Sequence, residues 1–128
     1  MSYYINRVLH VSFDSAVERV KEALKNEGFG VLTEIDVKET LKKKLDVEFP
    51  RYRILGACNP PFAYEALKAE DKIGVLLPCN VIVRETQGSD VEVAAIDPLV
   101  SMQAVGNPRL KETAAKVQAK LKSVIAAL

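Results

Sequence analysis

The first polar and apolar positions alternate. Ile5, Leu9, Val11 and Phe13 share one parity; Tyr4, Asn6, His10 and Ser12 share the other. That is the pattern of a strand with one polar face. Arg7 breaks the apolar parity, which places it near an edge or leaves its stem to snorkel. A helix follows. Ser12 and Asp14 offer capping side chains, Ala16, Val17, Val20, Ala23 and Leu24 recur at three and four, and Gly28 supplies a stop. Phe29, Val31, Thr33 and Ile35 alternate again as a second strand. Asp36 with Glu39 resembles a capping box with Asp in the Ser/Thr place, which starts a short helix carrying Val37, Leu41 and Leu45, with Lys42, Lys43 and Lys44 as its solvated back.

A third strand is expected from Tyr52 to Ala57, ending at Cys58-Asn59-Pro60-Pro61. Asn59 is a preferred cap and Pro60 a preferred first helical residue, so a helix begins there with Ala63, Ala66 and Leu67 turned inward. Ile73 to Glu85 is strand-like but interrupted by Pro78, which cannot donate to a ladder. The expectation is one strand before Pro78 and another from Cys79. Gln87 to Asp90 reads as a hairpin turn, and Val91, Val93 and Ala95 as the apolar face of the returning strand, which Asp97-Pro98 ends. Leu99 to Val105 is apolar without a clear period. Asn107-Pro108 then starts the last helix, whose stripe of Leu110, Ala114, Val117, Leu121, Val124, Ile125 and Leu128 must dock on something apolar. Helices interleaved with strands and one hairpin argue for an α+β domain with a sheet at least partly antiparallel.

The 128 residues fit one domain, residues 1–128. An apolar share of 48% is enough for a core without metal or disulfide staples. A net charge of +1 argues against nucleic acid as a partner, since phosphate binding needs a basic surplus or a basic face. Met1 to Arg7 lacks the basic start and long apolar stretch of a signal peptide. No apolar run approaches the ~20 residues of a membrane span. The expectation is therefore a cytoplasmic protein with reduced thiols and no membrane partner.

The sequence holds no glycine-rich phosphate loop, CxxC, HExxH or GxSxG motif. His10, the single histidine, could be a general base, but no nucleophile or orienting partner lies near it in sequence. What remains is a repeated Cys-Asn: Leu55-Gly56-Ala57-Cys58-Asn59-Pro60 and Leu76-Leu77-Pro78-Cys79-Asn80-Val81. Parallel neighbouring strands would bring both cysteines to one end of the sheet. Four readings stay open. Cys58, ahead of a helix start, could be a redox thiolate with Cys79 resolving, although Pro60 and Pro61 remove donors that would stabilise the anion. Two thiolates could hold Cu(I), or zinc if Asp, Met102 or a second subunit completed the set. The two corners could line a pocket for a small polar ligand. Both cysteines could simply be small buried hydrophobes beside turn-forming asparagines.

Gly28-Phe29-Gly30-Val31-Leu32, Tyr52 to Pro60 and Leu76 to Val81 together resemble the signature of the family catalogued as domain of unknown function 302. The resemblance spans nearly the whole chain. It implies a TATA-box-binding-protein-like α+β fold, with a curved, mainly antiparallel sheet backed by helices, and a dimeric assembly. The family has no established activity, so the resemblance carries over no catalytic role and leaves the cofactor unknown. The family's recurring motif residues fall here on Tyr52, Cys58, Asn59, Pro60, Pro78, Cys79 and Asn80, which become the candidate ligand-binding residues. The expected function is a homodimeric, non-enzymatic binding module for a small molecule or soft ion. The alternatives are a thiol redox protein and an interaction protein using Leu99 to Val105.

Overall fold

The computed structural model describes residues 2–128. Five strands are formed by Tyr4–Leu9 (β1), Gly30–Asp36 (β2), Tyr52–Cys58 (β3), Cys79–Glu85 (β4) and Val91–Ile96 (β5). They make one sheet in the order β1-β5-β4-β3-β2, antiparallel at every junction. The helices are Phe13–Asn26 (α1), Val37–Leu45 (α2), Pro60–Ala69 (α3), Pro98–Ser101 (α4) and Pro108–Ala126 (α5), with 3₁₀ turns at Ile73–Leu76 and Gln103–Val105. The α+β reading holds, and the sheet is antiparallel throughout.

The period of two decides which face is covered. Leu55 and Ala57 of β3, Val81 and Val83 of β4, and Val93 and Ala95 of β5 are buried in one core with α1 and α5. α1 contributes Val20 and Leu24, both with no exposed surface, and α5 contributes Leu121 and Val124. The opposite parity forms rows across the other face, such as Ile35–Ile54–Ile82–Ala94 and Tyr52–Arg84–Glu92–Val8. Arg7 lies on edge strand β1 and donates from its guanidinium to Ala126 O (2.8 Å), where cationic groups favour the carbonyl end of a helix.

The helix ends follow their local chemistry. Ser12 caps α1 by accepting from Ser15 N, and Asp36 caps α2 by accepting from Glu39 N. α1 stops because Gly28 takes φ 84°. Gly28 N then donates to Lys25 O and Phe29 N to Leu24 O, a Schellman closure.

Several expectations are corrected. The first strand ends at Leu9 rather than Phe13, because the Ser12 cap commits Phe13 to α1. The segment before Pro78 is a 3₁₀ turn, not a strand; Leu77 N bonds back to Gly74 O and Val75 is 85% exposed. Leu67 points outward, leaving Ala66 as the buried residue of α3. α2 buries none of its residues, and Leu45 is exposed. Asn59 precedes α3 but makes no side-chain cap to it. The two Cys-Asn strands are antiparallel rather than parallel neighbours. No helix among the described residues is long and apolar enough to cross a membrane.

Candidate functional site

Cys58 ends β3 and Cys79 begins β4, so antiparallel pairing carries both to one edge of the sheet; Ala57 stands opposite Cys79 in register. Both cysteines are free. Over this end of the sheet, residues of α3 and α5 enclose a cavity of about 320 Å³. Cys58, Cys79 and Phe29 line it from the sheet side, Phe62 and Ala63 from α3, and Val117 from α5. No lining side chain is charged. A volume of this size and an apolar wall with a few polar atoms are the ordinary features of a small-ligand pocket.

The motif residues divide by role. Asn59 is buried, and its Nδ2 donates to Glu27 O (3.1 Å), the carbonyl end of α1. It packs over Gly28, where a Cβ would lie 3.3 Å from that same nitrogen. So Asn59 ties the end of α1 to the start of α3 and holds one corner of the cavity. Pro60 and Pro61 occupy the first turn of α3, where missing donors are tolerated. Pro78 follows a cis peptide bond and rests on Gly56. A Cβ on Gly56 would run into Thr33 Oγ1 and come within 2.8 Å of Pro78 Cγ. That close approach, more than any turn, requires glycine at position 56.

Of the seven candidate residues, Cys58, Asn59, Pro78 and Cys79 meet at the cavity. Pro60 lies beside it at the start of α3. Tyr52 sits at the far end of β3, opposite Arg84, and Asn80 is exposed opposite Gly56; neither lines the cavity. Phe62, Ala63 and Val117 complete the wall, and no motif in the sequence marks them as cavity residues. Small Ala63 and Ala66, three apart on a helix starting at the Cys-Asn corner, were the available signal.

Burial, helped by the nearby Cys58, pushes the Cys79 thiol up to about 11. Cys79 therefore stays protonated at neutral pH, and a buried thiol in apolar surroundings is inert. Among the described residues no group of three or more His, Cys, Asp or Glu could hold a metal ion. His10 has Asp90 beside it (Nδ1 to Oδ1, 2.6 Å), but the imidazole is 81% exposed and does not line the cavity.

The family model described as "Domain of unknown function DUF302" matches residues 5–128. A crystal structure of an uncharacterized conserved DUF302 protein from Bacillus stearothermophilus is similar over 99% of this chain and 98% of that chain. It shares 28% sequence identity, with a TM-score of 0.92. No curated protein matches.

Proposed function

The chain belongs to the DUF302 family, and we propose that it is a non-enzymatic binding module whose ligand is a small apolar molecule held at the Cys58–Cys79 corner. The observation that carries this reading is the cavity of about 320 Å³ with no charged side chain on its wall, at the edge where both cysteines meet. The ligand's gain on binding is mainly apolar area taken from water, at roughly 25 cal/mol per Å². Asn59 and the two thiols add polar points that orient it. Binding is favoured over thiol redox because Cys79, raised to about 11, offers almost no thiolate at neutral pH. Calorimetric titration with hexanol, a small neutral apolar probe, tests the reading. The intact protein should bind one hexanol, and Ala63→Trp, which fills the cavity, should abolish that binding while leaving the melting cooperative. Hexanol binding that survives in Ala63→Trp would place the ligand elsewhere.

A second reading concerns assembly. We propose a homodimer joined through the sheet face turned away from α1 and α5. Val8 and Ile35, each 46% exposed, share that face with Ile54 and Ile82. Its central ionic group is already neutralised: Glu92 accepts from Asn6 (2.8 Å) and pairs with Arg84 (2.7 Å). Those partners, Asn6 first, hold Glu92 below the usual carboxylate range. A two-fold copy sets each group near its own equivalent, so self-association favours a face without net charge.

A further inference from the structure

A second cavity, about 950 Å³, adjoins the first on the other side of α5. Met102 and Ala114 line both, so together they form the partition. Ala114 is too small to fill a doorway. Met102 is half-buried, unbranched and rotatable about three bonds, so of the two it is the side chain able to change shape.

The two chambers differ in character. The inner one has no charged residue. The outer one has an apolar floor of Ile5, Leu99 and Leu110, and its charged residues are Lys111, Lys122 and Asp97. Asp97 is already engaged. Its carboxylate accepts from Leu99 N (3.0 Å) and from Gln118 Nε2 (3.0 and 3.1 Å). Lys111 and Lys122 share one face of α5, about three turns apart, and bracket the outer chamber lengthwise. A compact ammonium on a flexible stem can follow an anionic head along such a groove.

We infer that the two cavities form one two-chamber site for a chain carboxylate, its apolar tail passing Met102 into the inner chamber and its head lying in the outer chamber, in the positive field of Lys111 and Lys122 at its two ends. This rests on the inner cavity being a ligand pocket, as proposed above. The charge pattern selects the ligand class. A neutral chain would leave the lysines unused, and a compact anion would leave both apolar floors empty.

Calorimetry with decanoate, decanol and hexanol tests the inference. Decanoate should bind one to one, more tightly than decanol, and weaken as salt rises, because exposed charges are screened. Lys111→Gln/Lys122→Gln, which touches no core residue, should weaken decanoate by about tenfold, equivalent to about 1.4 kcal/mol, while decanol and hexanol bind as before. Met102→Trp, which narrows the passage between the chambers, should block both ten-carbon probes. Equal binding of decanoate and decanol to the intact protein would overturn the inference, as would unweakened decanoate binding in the double lysine variant. Co-sedimentation with anionic phospholipid vesicles without decanoate binding would also overturn it, by assigning the lysines to a lipid surface. Failure of hexanol to bind would instead remove the inner-cavity reading beneath it.

Discussion

Asn59 separates a structural corner from a ligand contact, and replacing it measures which role dominates. The residue is 8% exposed and its amide donates to Glu27 O at 3.1 Å, while Leu24 O and Lys25 O at the same helix end are served by backbone. Asn59→Ala leaves a carbonyl at a packed corner without its donor and should cost about 1–2 kcal/mol. For a domain of this size that is a fall in Tm of roughly 3–8 °C. Asn59→Asp should be worse at pH 7, by about another 1 kcal/mol, because an ionised carboxylate cannot donate to Glu27 O and sets a partly desolvated charge at the negative end of α1, which the positive start of α3 only partly offsets. The pH dependence has a definite sign. A carboxyl in this position has its folded pKa raised. Its protonated form can still donate to Glu27 O, so the Asn59→Asp deficit should be small near pH 4 and grow towards pH 7. Urea unfolding of the three proteins at pH 4 and 7 is the assay. If Asn59→Ala unfolds at the same urea concentration as the intact protein, or if Asn59→Asp shows no pH-dependent deficit, the strut between α1 and α3 is wrong.

Gly56→Ala should cost about 1–3 kcal/mol through overpacking against Thr33 and Pro78, with part of the loss recovered in Gly56→Ala/Thr33→Ala; urea midpoints of the single and double variants check this. Because Cys79 is raised to about 11 from an ordinary value of 9.0, the folded state keeps a proton that the unfolded state releases between those values. This contribution, about 2–3 kcal/mol, is fully present below pH 9 and lost as pH rises through 11. Stability should therefore fall across that window in the intact protein and fall less steeply in Cys79→Ala, as measured by urea unfolding at each pH. Light scattering at micromolar concentration should give the mass of two chains. Ile82→Glu, which puts a charge in the middle of the largely half-buried row Ile35–Ile54–Ile82–Ala94, should give one; an unchanged mass would move the interface off this face.

Most elements were legible because local chemistry and tertiary packing agree. The α5 stripe, the Ser12 and Asp36 caps, the Gly28 stop and the alternation of Val91, Val93 and Ala95 each point to the element that forms. The misreadings occur where two structures share one local pattern. Ile73 to Leu77 has strand-like composition, but it has no ladder partner and closes as a 3₁₀ turn ahead of Pro78. Asn59 has the type and position of a cap, yet its amide is drawn to a carbonyl thirty-two residues earlier, a contact no local rule contains. The Cys-Asn repeat marked the edge of the sheet, but for the wrong geometric reason. Antiparallel pairing of β3 and β4, rather than a parallel crossover, brings Cys58 and Cys79 together. The cavity itself depends on how far α3 stands from α5, a distance that neither helix encodes alone.

A small apolar ligand in the cavity at the Cys58–Cys79 corner should be seen by methyl NMR during a hexanol titration. Saturable shifts at Ala57, Ala63, Ala66 and Val117, all on the cavity wall, with Ile35, Ile54 and Ile82 on the opposite sheet face unmoved, are the predicted result. Saturable shifts on the opposite face with the cavity methyls silent, or no saturable shift anywhere, would contradict it.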